Sequence, residues 1–182
     1  MLKKIFSFYK VPLLISAVIS IVLIALNPHK PVPDFVQIFL GAFAGTFFLD
    51  LEYFLYAYLF EPQADFSKTL LGFIKHGDLL NSLSYLNYHK DEIKEKSINS
   101  GVFQIVLALL SISVVLTNTS IIIKTLVIST FANSIYKFAE SYYKNTVDDW
   151  FWALKKTPSK TGLMIYTIFM VGILVLSLYY LR

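Results

Sequence analysis

Asp50 and Glu52 stand inside an otherwise apolar stretch that runs from Phe35 to Tyr53. Carboxylates in such surroundings must be compensated, by protonation, by a cationic or polar neighbour, or by a metal ion in a wet cavity. A divalent ion held by Asp50 and Glu52 with His76 or His89 would activate water for attack on a phosphate or ester. The histidines follow no compact ligand spacing such as His-Glu-x-x-His, so His76, Asp78, His89, Asp91, Asp148 and Asp149 read more simply as exposed surface residues. Residues two apart on an ideal helix point about 200° from each other. Asp50 and Glu52 therefore serve different neighbours, or the helix opens near Leu49. Glu52 shares a stripe with Gly41, Gly45 and Phe48, and Gly41-x-x-x-Gly45 is a close-packing surface, which predicts that Glu52 faces another helix.

A polar stripe that could answer these acids lies further on. Asn133, Lys137 and Glu140 follow i, i+4, i+7 spacing beside Ser129 and Thr130. Two readings stay open here. In one, Lys137 snorkels to lipid headgroups and Asn133 bonds across helices; in the other, Lys137 pairs with Asp50 or Glu52. Trp150 and Trp152 read as an interfacial aromatic belt. The chain has neither a glycine-rich phosphate loop nor a serine nucleophile elbow. It also lacks cysteine, which excludes disulfides, thiolate catalysis and cysteine-ligated metal centres. No residue is assigned a catalytic role.

The elements that must position these side chains follow from composition. Of 182 residues, 56% are hydrophobic, with 16 Phe and 12 Tyr, and mean hydropathy is +0.62. A soluble domain of this size could not hide so much apolar surface, and the long unbroken runs indicate hydrocarbon as the solvent. The fold class expected is all-α: one integral membrane domain, a multi-pass bundle of about five spans with amphipathic cytoplasmic helices. The spans fall at about 8–27, 35–60, 101–117, 120–137 and 161–181, separated by polar segments 61–100 and 138–160. The first span is expected to be uncleaved, because its run ends without a small-x-small site.

Within 61–100, Phe66, Leu70, Phe73 and Ile74 share one helical face opposite Lys68 and Lys75, as on a helix lying along a membrane surface. Lys90 to Lys96 reads as a charged helix with a Glu92–Lys96 pair. The short Asn118-Thr119 link predicts an antiparallel hairpin. Asp50 lies twelve residues before Pro62, about 18 Å at helical rise and so near the bilayer midplane. An ionised carboxylate facing lipid there costs at least about 2.5 kcal/mol.

The net charge of +4 comes from lysines that flank the apolar runs, so membrane lipids, and not nucleic acid, are the expected partners. Lys3, Lys4 and Lys10, five lysines in 61–100 and five from Lys137 to Lys160 fall on one side; Lys30, Lys124 and Arg182 fall on the other. That asymmetry predicts an inner (plasma) membrane protein with its N-terminus in the cytoplasm and its C-terminus outside.

Gly45-Thr46-Phe47-Phe48-Leu49-Asp50-Leu51-Glu52-Tyr53 resembles the Gly-x-x-x-Pro-Asp-x-Asp-His signature of the membrane-bound metal-dependent hydrolase-like family. Leu49 stands at the proline, Glu52 at the second aspartate and Tyr53 at the histidine. Lys96-Ser97-Ile98-Asn99-Ser100 looks like that family's histidine-serine segment with Asn99 at the histidine place, and Asn133 falls where such proteins often have histidine. The resemblance spans residues 41–137 and implies a membrane bundle with a metal site on its cytoplasmic side. Asparagine is a poor replacement for imidazole as a transition-metal ligand.

Three functions follow as expectations. The first is a degenerate hydrolase-like protein in which Asp50, Glu52, Asn99, Asn133 and Lys137 form one buried polar cluster and Lys137 takes the charge role of the metal. The second is an active hydrolase of a lipid-soluble phosphate or ester, using a divalent ion on Asp50, Glu52, His76 and His89. The third is a small transporter or proton relay using Asp50.

Overall fold

The computed structural model describes residues 2–29, 31–90, 93, 96–154 and 157–181. Among these it is helical throughout, with no strand. Helix α1 spans Leu2–Leu26 and α2 spans Val32–Phe48; α2 starts from prolines at its N-terminus, where a missing backbone donor costs nothing. A short helix α3 (Leu51–Leu55) runs into a π-helical turn (Tyr56–Phe60). Then come α4 (Asp65–Lys75), α5 (Leu79–His89), α6 (Gly101–Leu116), α7 (Ile121–Tyr143), α8 (Val147–Trp150) and α9 (Lys160–Tyr180). Ser100 caps α6 by accepting from Phe103 N, and Ser159 caps α9 by accepting from Gly162 N.

Helix α7 is the hub: α2, α6, α1 and α9 all pack on it, α2 most extensively. The directions alternate. Ile19 and Leu23 near the end of α1 meet Ile38 early in α2, Ile128 in the first half of α7 and Leu181 after α9. At the opposite end Tyr166, early in α9, reaches Gly101 and Gln104 at the start of α6.

The core of the hub is unusual for its small polar residues. Thr125, Ser129, Thr130, Asn133 and Ser134 of α7 are all buried. They let backbones approach as large apolar side chains could not. Gly45 is seated so closely that an added Cβ would lie 2.8 Å from Leu126 O and 2.9 Å from Thr130 N; Gly41 is tighter still, 2.5 Å from Ile122 O and closer to the Thr125 hydroxyl.

Among the described residues three helices, Phe8–Leu26, Ile121–Tyr143 and Lys160–Tyr180, are long and apolar enough to cross a membrane, and α2 with its continuation Leu51–Phe60 makes a fourth if the bent pair counts as one span. Helix α6, with 16 residues, is apolar but shorter.

Several expectations are corrected here. The run 35–60, expected as one span, is broken at Leu49-Asp50, where the sequence left an opening of the helix near Leu49 as one alternative, and bends by 49°. The helix expected over 120–137 continues six residues past Lys137, so the polar segment expected to begin at 138 starts as helix. The apolar face of α4 does not lie along a surface: Phe66 and Leu70 are buried with Tyr53, Ala57, Leu86 and Ile93. An amphipathic face needs only some apolar partner, and α3, the π-turn and α5 supply it. Trp150 is no interfacial belt residue either; it is buried with Phe138, Phe151 and Leu163, while Trp152 stays exposed. Most of the charged helix expected over 90–96, Glu92 included, lies outside the described residues.

Gly45→Ala is expected to lower the detergent unfolding midpoint, at a cost of about 1–3 kcal/mol for overpacking. Gly172→Ala, which meets open space, is expected to leave the midpoint where it is.

Candidate functional site

The bend in the second span is where the acids are used. Past Phe48 the helical ladder tightens, with Asp50 N donating to Phe47 O and Tyr53 N to Asp50 O. The Leu49 carbonyl accepts instead from the side chain of Asn99, at 2.9 Å. A side chain inserted into the i to i−4 ladder is an established cause of a kink, and it explains a break that contains neither proline nor glycine.

Three adjoining knots of polar side chains surround this break. In the first, Asp50 Oδ1 accepts from Lys137 Nζ at 2.6 Å and Oδ2 accepts from Tyr9 Oη at 2.7 Å. Only 7% of Asp50 is exposed, so a charge-assisted pair with a second donor is the compensation that burial demands. Lys137 also lies over the Tyr53 ring, 5.9 Å from its centroid.

In the second knot, Glu52 Oε1 accepts from Ile98 N at 2.7 Å, and Oε2 accepts from Asn99 N at 2.9 Å and Asn99 Nδ2 at 2.6 Å. Glu52 therefore faces not a helix but the turn leading into α6. There its carboxylate satisfies backbone donors that would otherwise be buried unpaired.

The third knot joins α1, α2 and α7. Asn133 Nδ2 donates to Ser16 Oγ at 3.1 Å, Ser16 shares hydrogen bonds with Thr46 and Ser129, and Ser129 donates to Ala42 O at 2.8 Å.

The single cluster expected from the sequence is thus divided by helix geometry. Asp50 and Glu52, turned apart, go to different partners, while Asn133, one turn before Lys137 on α7, serves helix packing. Nor does the acid pair sit midway along the bundle. Lys137 is sixteen residues into α7, about 24 Å from its start, and Tyr9 lies early in α1, so Asp50 belongs to the end of the bundle where α1 begins and α7 terminates. Counting back from Pro62 failed because the chain after Leu49 turns out of the axis of α2.

His76 and His89 do not join the carboxylates. His76 is exposed at the end of α4, and His89 stacks on Tyr85 with ring centroids 4.4 Å apart. Among the described residues no three His, Asp or Glu side chains form a group that could hold a metal ion. The metal site expected on Asp50, Glu52, His76 and His89 is not assembled, because the histidines belong to the α4–α5 hairpin and each carboxylate oxygen already accepts from a donor of the chain.

Tyr9, Ser16 and Thr46 were missed at the sequence level. Ser16 and Ser20, the two polar residues in the run Val11 to Leu26, were the available signal: an i, i+4 pair marks a face turned to other helices. Tyr9 carried no comparable mark.

No family model matches this chain, and neither a curated protein nor a solved structure matches it.

Lys137→Met is expected to cost about 3 kcal/mol by leaving Asp50 buried with Tyr9 alone, read as a lower melting temperature in detergent. Lys124→Met is expected to change little. Adding Asp50→Asn to Lys137→Met is expected to recover part of the loss, because the pair is coupled.

Proposed function

We propose that this chain is a multi-pass inner-membrane protein of the hydrolase-like type in which the acid pair is structural. Five helices, α1, α2 with its bent continuation, α6, α7 and α9, cross the bilayer. The N-terminus lies in the cytoplasm and the C-terminus outside, following the lysine asymmetry. At 16 residues, α6 reaches about 24 Å, which a locally thinned bilayer or flanking polar residues accommodate at modest cost.

The observation that carries this reading is the position of Lys137. Its ammonium lies 2.6 Å from Asp50, where a cation would otherwise be needed, and an ammonium and a divalent ion on the same carboxylate oxygen would repel each other. Glu52 supports it as well, since its two oxygens hold the turn before α6. Asn99 and Asn133, at positions where the related signature has histidine, donate to a carboxylate, a hydroxyl and carbonyls through their amide nitrogens. Those are packing roles.

Elemental analysis of the purified, folded chain is expected to find no stoichiometric divalent metal. Metal at one equivalent, lost on Asp50→Asn, would overturn the structural reading. Because the chain has no cysteine, single cysteines at 78 and 118 test the orientation separately. A membrane-impermeant thiol reagent applied to intact cells is expected to label Asn118→Cys and spare Asp78→Cys.

A further inference from the structure

The last turns of α7 and the first turns of α9 do not close on each other but leave a groove of about 530 Å³ between them. On α9, Lys160, Leu163, Met164, Thr167 and Ile168 line it at i, i+3, i+4, i+7 and i+8 spacing, so one helical face supplies one wall. On α7, Ala139, Tyr142 and Tyr143 supply the other. Phe138 and Leu163, 3% and 7% exposed and packed in one cluster, form its floor. Ala139 keeps the groove open, because a methyl stands where the rest of that wall carries aromatic rings.

The lining changes character along the helices. Lys160 and Thr161 begin α9 while Tyr142 and Tyr143 end α7, so the polar part of the lining gathers at one end. Ile168 lies eight residues farther along α9, about 12 Å at helical rise, and the lining between is apolar. Thr167 is no exception, since its hydroxyl donates to Leu163 O at 2.8 Å. Among the described residues Lys160 is the one charged group of the lining, and no carboxylate belongs to it. From Lys155 to Lys160 the sequence carries three lysines and no acid.

Volume, polarity and charge together select the occupant. The groove falls within the roughly 300–1,000 Å³ of pockets that enclose a ligand. Left empty beside hydrocarbon, it would forfeit dispersion contacts along its whole lining. An apolar trough with tyrosines and a cation at its mouth matches an amphiphile with an anionic head, because tyrosine rings settle at headgroup level and lysines attract anionic lipid. A soluble phosphate compound would leave the trough unfilled, and a lipid without net charge would gain nothing from Lys160.

We propose that the groove between α7 and α9 holds one anionic phospholipid, with an acyl chain in the trough and the phosphate at Lys160. The proposal rests on the bilayer-spanning reading of α7 and α9, and on neither the orientation nor the structural role of the acid pair.

The test uses the full chain, purified in detergent and stripped of lipid. Native mass spectrometry counts phosphatidylglycerol bound per chain against phosphatidylcholine with the same acyl chains. One phosphatidylglycerol per chain is expected, with phosphatidylcholine binding about fivefold more weakly, the factor that one lysine near an anionic headgroup supplies. Lys160→Gln is expected to remove most of that preference, while Lys124→Gln keeps it. Ala139→Phe fills the trough and is expected to lower phosphatidylglycerol binding by a similar factor with Lys160 in place. Melting temperatures are compared first; should Ala139→Phe melt early, Met164→Trp, at an exposed position of the opposite wall, replaces it. Equal binding of the two lipids, a preference unchanged in Lys160→Gln, or binding unchanged when the trough is filled would each overturn the proposal. So would a dimer that excludes lipid, which would assign the groove to a second copy. Alkaline extraction of cell membranes tests the bilayer reading by itself: a chain that stays with the membranes yet shows no lipid preference loses the groove and keeps the spans.

Discussion

A buried carboxylate must be met by a donor of matching charge, and most of this architecture follows from how Asp50 is met. Its two oxygens hold Tyr9 of α1 and Lys137 of α7, so one side chain fixes the relative height of three helices. Desolvating both charges is costly, and the attraction between them offsets that cost only at close range with further hydrogen bonds in place. The 2.6 Å contact and the tyrosine supply both conditions. An ion pair of this kind contributes less to net stability than to register, because any sliding of α7 along α2 would separate the charges in a poorly solvated place.

The remaining contacts among these helices fit the same register. Gly41 and Gly45 bring the α2 backbone against Thr125, Leu126 and Ser129, and the hydroxyls of Ser16, Thr46 and Ser129 then close a hydrogen-bonded knot between three helices. Where the surrounding solvent is hydrocarbon, burying more leucine gains nothing over exposing it. Close backbone approach and shared hydrogen bonds take over the task that apolar burial performs in water. The exposed leucines, isoleucines and phenylalanines on α6 and α9 are the complementary fact.

The bend at Leu49-Asp50 links this packing to the polar end of the molecule. Asn99 takes the carbonyl that the bend releases and also holds Glu52, so the turn before α6, the bend and Glu52 form one hydrogen-bonded unit.

Particular residues mark how far the sequence could be read. The apolar runs from Val11 to Leu26 and from Thr161 to Leu181, and the tight link at Asn118-Thr119, are local patterns of period and length, and each became the helix or hairpin that its pattern implies. That Asp50 and Glu52 would serve different neighbours, or the helix open near Leu49, was equally legible from 100° per residue, and the structure shows both. The partners of those two acids were not. Tyr9 and Asn99 lie 41 and 47 residues from the acids they serve, and no local pattern records that distance. The bend came from an asparagine in another segment, so counting along the chain misplaced Asp50 in depth. The histidines, acceptable as ligands by type alone, were carried elsewhere by the α4–α5 hairpin. Helix formation and lipid solubility are decided by neighbours in the chain. Which polar group answers which is decided by neighbours in space.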